Sequence, residues 1–181
     1  MARIPYASPQ SPDQEKVAAE IAARRGGSLL NLDRILLHSP PYAVGWNGFL
    51  GAVRGQLRLP ARLRELSICA VAVLNRAEYE YQHHAPEFIA AGGSRQQLDA
   101  LAALGRADFD AGRFDEAQRA VLDLTLEMTR TVAVADATFA CVRGQLDDDR
   151  QVVELVGVVA AYNMVSRFLA ALGIEPEGPA E

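Results

Sequence analysis

The chain has 181 residues, 50% of them hydrophobic and 23% charged, with a formal net charge of −5. This length and balance predict one globular domain with a substantial core, and the acidic surplus argues against a nucleic-acid partner, since neutralising phosphates needs a basic surface. The opening MARIPYASPQSPDQ lacks the apolar region of a secretory signal, and the longest apolar run, Val152 to Phe168, holds Glu154 and Arg167 and reads as too short and polar to span a bilayer, so a cytoplasmic location without a membrane partner is expected.

Residues 1–10 contain two prolines and no periodicity and are expected to form an arm, mobile or packed on a neighbour. Ser11 starts a helix, with Pro12 in its first turn and Gln14 completing a Ser-x-x-Gln capping box. Val17, Ala18, Ile21 and Ala22 form its apolar stripe, and Gly26-Gly27 end it. A second helix is expected over about 29–38, burying Leu32, Ile35 and Leu36 before Pro40-Pro41 break it. From Pro41 to Gly55 a third helical pattern contains Gly45, Gly48 and Gly51. Each costs about 1 kcal/mol relative to alanine, so another helix or a ligand is expected to pack closely on that backbone. Trp46 and Phe49 lie near one face there. They are core aromatics or, for Trp46 with Tyr42, walls of a pocket facing His84.

Pro60 opens the next helix, in which Leu63, Leu66, Ile68, Ala70 and Val73 leave almost no polar face, so it should be buried on most sides. Glu65 stands in it, where an unpaired carboxylate would be costly. The pattern breaks near Asn75 and restarts near Ala77, with Glu78 and Glu80 in a first turn that favours negative charge. His83 and His84, two of the chain's three histidines, follow. Glu80 and His84 are four residues apart and share a helix face. At that spacing a carboxylate orients an imidazole for proton transfer, or makes an ion pair on a solvated face. Pro86 removes a hydrogen bond to the Gln82 carbonyl and is expected to kink the helix, leaving that carbonyl for water or substrate.

Gly92-Gly93 end this helix, and Ser94 with Gln97 caps another that runs to Leu104. After a loop over 105–114, Asp115 with Gln118 caps a helix carrying Val121, Leu124, Leu126 and Met128. Asp136 restarts a helix to Leu146, and a last helix is expected from Arg150 to Leu172, followed by a frayed tail. Val132 to Val134 are too few for a sheet, and no alternating pattern of useful length occurs. The fold class is therefore all-α, with an arm at 1–10, one helical domain at 11–175 and a tail at 176–181. Cys69 and Cys141 sit far apart in apolar stretches and are expected to be buried free thiols. With three histidines and no ligand-spaced pair, no metal and no cofactor are expected.

Glu65, with Ala77, Glu80 and His84 twelve, fifteen and nineteen residues on, resembles a motif of the alkylhydroperoxidase D / carboxymuconolactone decarboxylase superfamily. In its redox branch the second and third of these positions are a Cys-x-x-Cys pair. Here they are Ala77 and Glu80, which implies that the peroxidase chemistry is gone. Glu80 with His84 is similar to the cysteine-free decarboxylase branch, while Glu65 is a feature that branch does not require. Tyr162 to Phe168, followed by Leu172-Gly173-Ile174-Glu175-Pro176, also resembles the closing helix of cysteine-free members. The resemblance runs from about Leu30 to Pro176 and implies a compact multi-helix domain of the alkylhydroperoxidase D-like type, assembled as a trimer, a hexamer or a related homo-oligomer. Several helices apolar on more than one face independently favour self-association.

The same resemblance implies decarboxylation of a muconolactone-type acid, or chemistry on a related product of aromatic ring cleavage. A small carboxylate or lactone would be the substrate. His84 would protonate carbon, Glu80 would orient and stabilise the imidazolium, and Glu65 would stand behind them as partner or auxiliary base. Tyr42, Trp46, Arg64, Tyr81, Asn163 and Arg167 are the candidates for binding substrate, with Arg167 or Arg64 gripping a carboxylate. Isomerisation or hydrolysis of an ester or lactone would use the same groups. A non-catalytic assembly or binding protein is the reading of a different class, favoured if Glu65, Glu80 and His84 splay into solvent.

Overall fold

Helices and irregular segments account for every residue from 2 to 178, the range described by this computed structural model; no strand occurs among them. Of the expected tail at 176–181, residues 179–181 lie outside the described residues. Two units emerge, one running to Gln56 and resuming at Phe168, the other spanning Leu57–Arg167.

The first unit holds α1 (Pro12–Arg24), α2 (Asn31–Leu36) and α3 (Pro40–Gly55). Ser11 caps α1 as its sequence predicts, its hydroxyl accepting from the Gln14 N–H. Gln14 does not close the box on Ser11: its side-chain oxygen takes the Gln10 N–H at 2.9 Å and its amide donates to the Leu37 carbonyl at 3.1 Å. The segment before α1 is tied down by long-range bonds. Arg3 N–H donates to the Leu172 carbonyl, Ala7 N–H to that of Arg34, and His38 Nε2 to that of Pro5. The residues after the last helix are bonded as well, since Glu175 N–H reaches the Tyr6 hydroxyl and the Glu177 carboxylate accepts from Asn31 N–H. Extended backbone cannot satisfy itself, and here each irregular end finds its partners in other parts of the unit. The glycines of α3 depart from expectation. A Cβ added at Gly45 or Gly48 would meet nothing within 4 Å, and at Gly51 only the Arg24 side chain at 3.7 Å. Their helix cost is not offset by packing within this chain.

The second unit is built around α4 (Ala61–Asn75), which packs against α5 (Glu78–Ala90), α6 (Arg95–Leu101) and α7 (Glu116–Arg130). Every residue from Glu65 to Ala72 is buried, as the near absence of a polar face predicts. Leu66, Cys69 and Ala70 meet Phe88, Leu98, Leu101, Phe114 and Leu122 in the core. Reciprocal capping boxes start α6, between Ser94 and Gln97, and α7, between Asp115 and Gln118. α5 runs unbroken through Pro86. Val132, in the stretch too short for a sheet, has a positive φ of 67° and leads into α8 (Asp136–Gln145), which packs on α7.

α9 (Asp149–Leu172) belongs to the second unit as far as Arg167. By length and composition its 24 residues would suffice to cross a membrane, contrary to the reading of the apolar run as too short and too polar. Val152, Leu155, Val158, Val159, Tyr162, Val165 and Leu169 are nevertheless buried, and Gln151, Asn163 and Ser166 beside them are buried with hydrogen bonds. The helix sets one apolar side against its neighbours and partners these buried polar groups.

Four helices end in the same closure, an N–H bonding back to a carbonyl five residues earlier: Gly27 to Ala22, Ala77 to Ala72, Gly93 to Phe88 and Ile174 to Leu169. The left-handed residue is Gly26, Gly92 and Gly173 in three of them, but Arg76 at the end of α4, with φ 54°. In the α5 closure Gly93 lies against the fully buried Phe88 ring, where an added Cβ would be driven into the aromatic carbons. Gly93→Ala should therefore destabilise the protein by about 2 kcal/mol through overpacking. Urea denaturation checks this, as a lowered midpoint with an unchanged slope.

Candidate active site

The short connection Arg76–Ala77 turns α5 back beside α4 and sets Glu65 opposite His84. Glu65 is 4% exposed and His84 8% exposed. His84 Nδ1 lies 2.7 Å from Glu65 Oε2, and the other carboxylate oxygen accepts from Arg64 Nε at 3.0 Å. On the far side of the imidazole, Nε2 lies 3.0 Å from the hydroxyl of Tyr162, which is fully buried on α9. The two rings meet edge to face, their centroids 4.9 Å apart. Arg64, Glu65, His84 and Tyr162 thus form one hydrogen-bonded line through α4, α5 and α9.

Burial pushes the Glu65 carboxyl up, but the hydrogen bond and charge of His84 and then those of Arg64 outweigh it and hold the group below its ordinary value. An ionised carboxylate has no proton to give, so Nδ1 carries the hydrogen of the Glu65–His84 bond. With a neutral ring, Nε2 is then the acceptor of the Tyr162 O–H. With an imidazolium, Nε2 donates to the Tyr162 oxygen. Either state of the ring leaves each step of the line with one donor and one acceptor.

Glu80 and His84 share a face of α5, but the carboxylate that orients the imidazole through Nδ1 is Glu65's. The expected order, with Glu80 in front and Glu65 behind, is reversed. Glu80 is 2% exposed and accepts from the Ser166 hydroxyl, at 3.0 Å on one oxygen and 3.2 Å on the other. Arg64 is committed to Glu65, so its expected grip on a substrate carboxylate is taken. One turn along α9, Asn163 Oδ1 accepts from Asn75 and Arg167, while its amide donates to Thr129 and the Val159 carbonyl. Arg167 thus bonds its own helix and has no carboxylate partner among the described residues. Tyr81 turns toward the core of the second unit, packing against the cluster of Leu66 and Phe88. Burial, and then the neighbouring Cys69, raise its phenol.

His83 points elsewhere on α5, its ring stacked on Tyr79 at 4.4 Å and its Nδ1–H donated to the Tyr79 carbonyl. In the first unit, Tyr42 and Trp46 form an aromatic group with Phe168, Trp46 and Phe168 lying 5.0 Å apart. Trp46 is buried and its indole N–H has no acceptor among the described residues. The thiols are free, but only Cys69 is buried; Cys141 lies on the exposed side of α8, where only Val142 is covered. Burial, and then the carboxylates of Glu65 and Glu80, push the Cys69 thiol far above its ordinary value, so it is no thiolate at neutral pH. No group of three or more His, Cys, Asp or Glu placed to hold a metal ion occurs among the described residues.

Tyr162 and Ser166 are the site residues that reasoning from sequence did not single out. A signal was present: both interrupt a run of valine and alanine in a core helix, one turn apart, and a buried hydroxyl there needs a partner on another helix.

The model of the carboxymuconolactone decarboxylase family matches residues 40–127, the stretch that supplies Arg64, Glu65, Glu80 and His84. No curated protein matches the chain. Among solved structures, an uncharacterised peroxidase-related protein from Silicibacter sp. TM1040 is similar at a TM-score of 0.79 and 21% identity, covering 97% of this chain and 91% of that one. An alkylhydroperoxidase AhpD core protein from Ralstonia eutropha JMP134, also described as peroxidase-related, is similar at 0.77 and 20%, covering 97% and 92%. A cysteine-to-alanine variant of the debrominase Bmp8, in complex with 2,3,4-tribromopyrrole, is similar at 0.74 and 18%, covering 98% and 95%. At these identities the likeness to the solved structures is one of fold.

The state of Glu65 has a measurable consequence. Its depressed folded pKa gives stability that is fully present above the ordinary glutamate range and is lost as pH falls through the folded value. Denaturation midpoints should fall on acidification in that window, and Glu65→Gln should flatten the fall. At neutral pH the same variant should lose about 3 kcal/mol, because the charge that Arg64 and His84 serve is gone. Equal pH slopes in the two proteins would contradict an ionised, buried Glu65.

Proposed function

For a chain whose residues 40–127 match the carboxymuconolactone decarboxylase family model, and whose fold is like that of alkylhydroperoxidase D-related structures, we propose acid–base catalysis on a small unsaturated carboxylic acid or lactone. The observation that carries this reading is the buried line from Glu65 through His84 to Tyr162. A buried charged network is costly compared with apolar packing of the same volume, and an imidazole held between a carboxylate and a phenol is what proton transfer at carbon requires. In the decarboxylation of a lactone acid whose β,γ double bond is conjugated with the lactone carbonyl, the carbon–carbon bond to the carboxylate breaks, carbon dioxide leaves and the electron pair moves through the double bond onto that carbonyl as a dienolate. A proton then arrives at the distal carbon. The Tyr162 hydroxyl delivers it and is reprotonated from His84 Nε2, while Glu65 stabilises the imidazolium that supplies it. Arg167, which lacks a carboxylate partner among the described residues, is the anchor for the substrate's own carboxylate.

Isomerisation would use the same relay to take a proton from one carbon and return it to another, and lactone or ester hydrolysis would use it to activate water. The thiol chemistry suggested by the names of the peroxidase-related fold relatives lacks its means here, since Cys69 is buried and protonated and Cys141 is exposed on another helix. Self-association is part of the proposal. Val153 and Met164 on α9, like Tyr42, Val44 and Phe49 on α3, are exposed apolar side chains that a homo-oligomer would cover. Light scattering should give a defined oligomer, and a stable monomer at micromolar concentration would overturn that part.

The test of the chemistry is a mass-spectrometric screen of ring-cleavage acids and lactones for loss of carbon dioxide, gain of water or isomerisation. With a substrate in hand, His84→Gln should lower kcat by roughly 10²–10⁴-fold and Tyr162→Phe by roughly 10²-fold. The double variant should be little worse than His84→Gln, because groups acting as one unit are not additive. His83→Ala, and Cys69→Ala with Cys141→Ser, should leave turnover within a few-fold. Equal, small losses at His83 and His84 would end the assignment. No turnover of any compound by the folded protein would favour the assembly reading.

A further inference from the structure

A second recess is formed by residues outside the Glu65–His84–Tyr162 line. It has a volume of about 580 Å³ and is lined by Arg76, Arg106, Arg130 and Asn75, with apolar neighbours that include Leu74 and Leu104. The lining contains no acidic residue, on a chain whose net charge is −5. Three arginines around one cleft concentrate positive potential against the sign of the whole molecule.

The backbone adds a specific argument. Arg76 occupies the left-handed position of a helix closure that Gly26, Gly92 and Gly173 fill elsewhere in the chain. A side chain there costs roughly 1 kcal/mol relative to glycine. An arginine that merely offset the negative end of α4 would do so equally from an unstrained position in the last turn. The strained position is held by a residue of the cleft lining. Neither Arg76 nor Arg130 has an ion pair or side-chain hydrogen bond among the described residues. Arg106 is paired only with Asp108, at 3.0 Å, and both are exposed and exchangeable with a stronger ligand. Gly105, beside Arg130, has a φ of 79°, and an added Cβ there would crowd Leu126 at 2.9 Å while only touching the Arg130 guanidinium at 3.5 Å.

We propose that this cleft binds a small doubly charged organic oxyanion, a phosphate monoester or a dicarboxylate, with a compact apolar body. Guanidinium forks match the paired oxygens of either group, and the apolar neighbours accept a ring or short chain. The cleft is distinct from the proposed catalytic line and does not depend on that reading.

Isothermal titration with phenyl phosphate and with phthalate, two probes of matched size, tests it. Saturable binding to at least one is expected, weakened by added sodium chloride. Arg130→Gln and Arg76→Gly should each weaken it at least about tenfold, the loss of one charge-assisted pair. Arg76→Gly relieves the left-handed strain, so its thermal stability should match or exceed that of the parent and loss of binding cannot be loss of fold. His84→Gln should bind both probes as the parent does. Preference for phenyl phosphate assigns the cleft to phosphate esters, and preference for phthalate assigns it to dicarboxylates. Absence of saturable binding to both probes would overturn the proposal. So would affinities unchanged in Arg76→Gly and Arg130→Gln, or binding abolished by His84→Gln.

Discussion

A carboxylate sits inside a helix that is buried on almost every side, and much of the second unit is arranged around that fact. Left alone, Glu65 would cost several kcal/mol or would take up a proton. Arg64, the neighbour before it, supplies one charge-assisted bond, and His84 supplies the other from α5. The imidazole in turn needs a partner for Nε2 and finds it in Tyr162 of α9. Each group is buried because the next one satisfies it, so three helices are fixed in register by a single chain of donors and acceptors.

α9 is held at three levels by the same logic. Near its start, Glu154 accepts from the N–H groups of Arg58 and Leu59, just before α4. Burial would raise that carboxyl, but its bonds to Arg150 and to those two N–H groups hold it low. Further along, Tyr162 meets His84, and one turn later Ser166 meets Glu80. These residues recur at helical intervals on one side of an otherwise apolar helix. Hydrophobic burial would accept many small rotations and slides of α9, whereas these polar pairs select one. That precision is what the proposed proton relay requires, because transfer falls steeply as donor and acceptor separate.

What the sequence made legible was local. Ser11, Ser94 and Asp115 announced helix starts through chemistry confined to one turn, and Gly26, Gly92 and Gly93 announced ends. The all-helical class followed from periodicity. At the site, the family resemblance put Glu65 and His84 in one motif, and they are hydrogen-bonded, yet the orienting role was expected first of Glu80. Counting residues along one helix favours a partner one turn away, while the actual partner lies across a helix–helix contact that no spacing rule encodes. Tyr162 stayed hidden for the same reason: its significance lies in what stands opposite. Gly45, Gly48 and Gly51 suggested close packing by propensity alone, and within one chain the space beside Gly45 and Gly48 is open.

The division of the chain bears on how it comes off the ribosome. The first unit is discontinuous: α1 to α3 are translated early, but Phe168, which completes the aromatic group of Tyr42 and Trp46, and Leu172, which receives the Arg3 N–H, come near the end. The second unit is contiguous and has all its residues once Arg167 has emerged. Domains made in sequence ordinarily fold from the N-terminus onward. Here the first unit completes its aromatic group and its Arg3 bond only after the whole second unit has been made. A chain interrupted before Phe168 would lack the ring that joins Tyr42 and Trp46 and the carbonyl that receives the Arg3 N–H.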